Sequence, residues 1–167
     1  MFNPTKIPQP GKIPAYPYAL LVHGAKRNDS KSGTKCLEMP VEITTESVEH
    51  EGTKVPTSGI KGSIKFWFSD KATASSVTSL GYIGFMPNQD FADIDAYIEA
   101  AIVYINTQLT GKVITAVVSS RQEPVLGPDR QPVMGHDGQP ILKPWEPDFN
   151  SRGILDYPPQ ALVAAPY

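Results

Sequence analysis

Residues 61–68 carry the sharpest alternation in the chain. Ile64, Phe66 and Phe68 fall on one side of an extended segment, and Lys61, Ser63, Lys65 and Trp67 fall on the other. The first set has the composition of a core face. The second places an indole among ammonium groups, where a base can stack on the ring while lysines follow the phosphates. The alternative is that Trp67 packs beneath a loop or helix covering that side of the sheet.

The same two-residue period runs through residues 35–44, where Leu37, Met39, Val41 and Ile43 alternate with Cys36, Glu38, Pro40 and Glu42. Pro40 predicts an edge or a bulge in that strand. Residues 16–25 are apolar and β-prone, a polar turn with Gly33 at its end follows, and residues 50–59 read as a loop. The period then lengthens. Ser69-Asp70 can cap a helix over residues 71–80, and a stronger helix is predicted over residues 92–109, with Ile94, Ile98, Ala101, Ile102, Ile105 and Leu109 in one stripe. Asp93, Asp95 and Glu99 gather near its start, where negative charge complements the helix dipole; a metal is the weaker alternative use of these acids. Gly111 ends the helix and residues 112–120 return to a strand rich in Val, Ile and Thr.

Proline divides the chain. Of 17 prolines in 167 residues, five lie at or before Pro17 and nine at or after Pro124, so regular structure is expected between them. The predicted organisation is an N-terminal arm (1–15), a core domain (16–122) and a proline-rich extension with a C-terminal tail (123–167). The extension holds an imperfect octad beginning at Glu123, Gln131 and Gln139, each copy a two-residue apolar step followed by a turn. Three copies are too short for a solenoid, and a hairpin-like extension lying on the barrel or on a neighbouring subunit is expected.

The formal net charge of -2 conceals an asymmetry. Lys and Arg outnumber Asp and Glu 10 to 7 through Ala72, and are outnumbered 5 to 10 after it. The case for a polyanionic partner is therefore local. Cys36 is the only cysteine, which excludes an internal disulfide and a cysteine-based metal cluster. With no apolar segment near the length of a membrane span and no secretory pattern in residues 1–12, a cytoplasmic protein with no membrane partner is expected.

Catalytic signatures are lacking. Gly111-Lys112 fails as a phosphate loop, because Asn106 stands where the motif needs Gly and Val113 where it needs Ser or Thr. His23, His50 and His136 do not have zinc-site spacing, and there is no Gly-x-Ser-x-Gly elbow. Neither an enzyme nor a cofactor is expected.

Residues 16–43, with the turn Lys31-Ser32-Gly33-Thr34 between two strands, resemble the N-terminal hairpin of phage-encoded single-stranded-DNA-binding proteins of the OB-fold type. Leu109-Thr110-Gly111-Lys112-Val113, leading into the strand at 114–118, is similar to that group's closing segment. The resemblance implies an OB-like small barrel, and together with the elements read above the expected fold is β-rich α+β, the barrel carrying a helical insertion before its last strand and proline-rich arms at both ends. The resemblance also implies coating of single-stranded DNA in viral replication or recombination, in the host cytoplasm. Lys26, Arg27, Lys31 and Lys35 at the first turn, with Lys61 and Lys65, would then neutralise phosphates while Trp67 stacks. Further copies of the chain, and replication or recombination proteins recruited through residues 162–167, complete the expected partners. The chain departs from the group in its long helical insertion, its octads and its tail, where Asp156 is the only acid after residue 150. The rival reading is a virion or assembly protein whose arms clasp neighbouring subunits.

Overall fold

The structure, a computed structural model, describes residues 12–155 and the backbone of Val163–Ala164. Most of the N-terminal arm and of the C-terminal tail therefore lies outside the described residues. The strands are β1 (Tyr16–Val22), β2 (Lys26–Arg27), β3 (Cys36–Ile43), β4 (Ser47–His50), β5 (Thr53–Pro56), β6 (Lys61–Trp67), β7 (Lys112–Arg121), β8 (Glu146–Asp148) and β9 (Val163–Ala164). Two helices, α1 (Thr73–Tyr82) and α2 (Ile94–Tyr104), fall between β6 and β7. The main sheet is antiparallel and strongly curled into a half-barrel, in the order β2-β3-β1-β7-β8, with β6 on the free side of β3 and β9 against β7.

The alternation in the sequence translates directly into this sheet. Leu37, Met39, Val41 and Ile43 of β3 face the same core as Ile64, Phe66 and Phe68. Pro40 occupies neither an edge nor a bulge, since β3 runs between β1 and β6. Its carbonyl accepts from the His23 N–H, and because proline has no N–H to return the reciprocal bond, the β1–β3 ladder stops at this pair, where β1 ends. Residues 47–56 form a hairpin rather than a loop. Glu51 (φ 51°) and Gly52 (φ 76°) both take left-handed backbone, the conformation of a two-residue turn that matches strand twist.

The helices lie close to their predicted places. Asp93 caps α2 by accepting from the Ala96 N–H at 2.8 Å, and beyond Tyr104 the helix widens into a π-turn, Ile105–Leu109. Ile98, Ala101, Ile105 and Leu109 are buried in the core. Ser69, not Asp70, meets the start of α1, its hydroxyl accepting from the Ala72 N–H at 3.2 Å.

The segment after residue 122 contributes to the core. β8 pairs antiparallel with β7, Asn150 bridges Lys65 in parallel, and Ile154, buried, bridges Ala116. Residues 148–154 thus span the gap between β6 and β7. Two glycines permit the fit: Phe149 lies on Gly62 where a Cβ would stand, and a Cβ on Gly153 would run into the carbonyl oxygen of Val117. Ile13 also reaches the core.

The octads form a closed three-cornered ring rather than a hairpin. Val133 donates to Val125, Ile141 to Val133 and Val125 to Ile141, through backbone bonds of 2.7–2.8 Å. Gly127 donates to Gln131, Gly135 to Gln139 and Lys143 to Glu123, so each corner repeats the others and the third is made where the chain enters and leaves. Asp129 and Asp137 brace the two continuous corners by accepting from the N–H groups of Gln131 and Gln139. No helix among the described residues is long and apolar enough to cross a membrane.

Candidate nucleic-acid interface

The outer face of β6 holds Lys61, Ser63, Lys65 and Trp67, in register with Glu42, Pro40, Glu38 and Cys36 of β3. Lys61 and Lys65 are exposed, and Trp67 is half-buried. Its backbone is pinned, since the Trp67 carbonyl accepts from the Ser76 hydroxyl of α1 at 2.6 Å. The Lys65 ammonium stands 5.9 Å from the Trp67 ring centroid, within cation–π range. Cys36, beside Trp67, is fully buried; burial pushes its thiol up to about 11 and keeps it neutral. Trp67 therefore has an apolar neighbour across the ladder and a cation two residues earlier on its own strand.

The four cations of the first turn fare differently. Arg27 donates to Asp29 at 2.6 Å and to Asp95 at 2.6 Å, with Glu99 at 3.8 Å, and these bonds raise its pKa further. Lys35 donates to Asp95 at 2.8 Å. Lys26 lies 3.5 Å from Glu38, which also accepts from Asn28. Both Asp29 and Asp95 are held below the usual carboxylate range, Asp29 chiefly by its bond to Arg27 and Asp95 by Lys35 and then Arg27. The turn is thus a brace between β3 and the start of α2, and most of its positive charge is neutralised in place. Lys31 alone among the four has no acidic partner within ion-pair distance among the described residues.

On β6 the balance is the reverse. Lys61 has one loose contact, Glu42 at 3.7 Å, which His23 shares at 3.9 Å. Lys65 has no acidic partner among the described residues, because Glu38 across the ladder is turned to Lys26 and Asn28. The structure therefore gathers Lys61, Lys65 and Trp67 into one surface, and sets Lys26, Arg27 and Lys35 apart as ion-paired residues.

Beside Trp67 a cleft of about 610 Å³ opens between β6, the first turn of α1 and residues 146–152. Arg121, Phe149 and Arg152 line its far side. Sequence reading missed these three, because β8 is written Glu-Pro-Asp and nothing in that composition announces a strand. No protein-family model matches the chain, and a search of curated proteins found none similar to it.

Proposed function

We propose that the chain is a sequence-tolerant single-stranded-DNA-binding protein of viral type, supporting replication or recombination in the host cytoplasm without catalysis. The observation that carries this reading is Trp67: a half-exposed ring beside an unpaired Lys65, on a strand whose other face carries the fully buried Ile64 and Phe66. Every base has a face that can stack on such a ring, and phosphate neutralisation adds affinity that is indifferent to sequence.

The connectivity supports an OB-like barrel. β1 pairs with both β3 and β7, β6 joins β3, the helices separate β6 from β7, and the last segment is antiparallel to β7 and parallel to β6. Those are the relations expected of a five-stranded Greek-key barrel whose second and third strands present the binding face. In this assignment β3 and β6 carry the face, the turn at 26–35 is the first flanking loop and the octad ring the second.

A gel-shift with labelled single- and double-stranded oligonucleotides of one length, at two salt concentrations, tests the reading. Tighter binding of the single strand that weakens steeply with salt is expected; equal binding of both, or none, contradicts it.

One observation favours the rival reading of an assembly protein. The octad ring leaves Leu126, Met134 and Leu142 at three equivalent positions, exposed at 53%, 55% and 50%, which suits contact with another subunit. Sedimentation of the protein alone separates the two readings, since large ordered assemblies without oligonucleotide binding favour the rival.

A further inference from the structure

We infer that the cleft beside Trp67 is a nucleotide pocket, in which an unpaired base lies on the indole and its phosphate is taken by Lys65 and Arg152. The inference rests on the single-strand-binding reading and adds to it a second wall and a new cation. Several features of the cleft point to this ligand class. Its volume, about 610 Å³, lies within the range of small-molecule sites. Its walls are β6 on one side and residues 146–152 on the other, joined by the bridge between Lys65 and Asn150. A base already paired in a duplex cannot be offered to such a space without being drawn out of the stack.

The charges in the cleft are ordered along its length. Because the bridge at Asn150 is parallel, the chain after it runs toward the Trp67 end of β6 and the chain before it toward the Ser63 end. Arg152 therefore follows the bridge on the side of the indole, and Asp148 precedes it on the side of Ser63. Arg152 is exposed and has no acidic partner within ion-pair distance among the described residues. Arg121 is less available, because Glu123 at 3.7 Å and Glu146 at 3.9 Å share its guanidinium. An anion is thus favoured at the Lys65 and Arg152 end, beside the indole, and disfavoured at Asp148. The fork of donors on Arg152 suits phosphate oxygens, and its backbone is held for the purpose by the Asn150 side chain, which accepts from the Arg152 N–H at 2.9 Å.

The test measures affinity for a labelled oligodeoxythymidylate by anisotropy across a salt series, for the unaltered chain and for Arg152→Ala, Arg152→Lys and Arg152→Glu, with circular dichroism to verify folding. Arg152→Ala is expected to weaken binding and to make the slope of log K against log salt shallower by about 0.7, the loss of one single-strand phosphate contact. Arg152→Lys should retain most of the slope, and Arg152→Glu should weaken binding more than Ala does. If all three variants keep the parent affinity and slope while Trp67→Ala loses binding, the pocket is overturned and the platform reading stands. If the unaltered chain does not bind the oligonucleotide, both fall together.

Discussion

The first turn and strand β6 are both basic in sequence and opposite in structure. The turn offers four cations, Lys26, Arg27, Lys31 and Lys35, and β6 offers two, Lys61 and Lys65. On the turn, Arg27 and Lys35 are tied to Asp95 and Arg27 also to Asp29, while Lys26 faces Glu38. On β6, Lys65 stands unpaired beside an aromatic ring. A cation already bonded to a carboxylate must surrender that bond to reach a phosphate, whereas a solvated one only exchanges water and counterions. Counting lysines therefore overstates the turn and understates the strand, and the acid that ties Arg27 and Lys35 together, Asp95, comes from α2, some 60 residues away in sequence.

Four experiments break or sharpen this comparison. The largest effect belongs to the inner face of β6: Phe66→Ala empties a fully buried site and should lower stability by about 3–5 kcal/mol, measured by urea denaturation. On the outer face of the same strand, Trp67→Ala should leave stability nearly unchanged and weaken oligonucleotide binding by about 1–3 kcal/mol, measured by anisotropy. A variant that loses stability as heavily as Phe66→Ala would mean that Trp67 is a packing residue. The turn should respond to pH, not to nucleic acid. Asp95 and Asp29 have lowered folded-state pKa values, so their support of the turn is complete above the unfolded value of about 4 and is lost as pH falls through the folded values. Carboxyl NMR titration should show both groups titrating below that value, and Asp95→Asn should bring Asp29 and the turn resonances to a new position without weakening DNA binding at neutral pH.

The strand faces were legible because a period of two reports burial directly: Ile64 and Phe66 went in, Lys61 and Lys65 stayed out. The stripe on α2 was legible because a helical period of about 3.6 residues reports its buried face in the same way. Three features were not. The hairpin at 47–56 turns on Glu51-Gly52, and glutamate is not a residue that advertises left-handed backbone. The pairing of β8 is carried by three residues, one of them proline, and depends on Gly153 and Gly62 admitting neighbours that no local pattern reveals. The octad repeat was visible, but its closure depends on a bond between Lys143 and Glu123, which lie 20 residues apart at the two ends of the repeat. Cys36 shows a further limit: it sits at a wet position of the alternation and is nonetheless buried, on the face it shares with Trp67.

The contrast between turn and strand is tested most directly by the salt dependence of single-strand binding in Lys65→Ala and Lys35→Ala, two variants that remove the same charge. Lys65→Ala should make the slope of log K against log salt shallower by about 0.7, and Lys35→Ala should leave it at the parent value. A shallower slope for Lys35→Ala with no change for Lys65→Ala would place the phosphates on the turn and contradict the account.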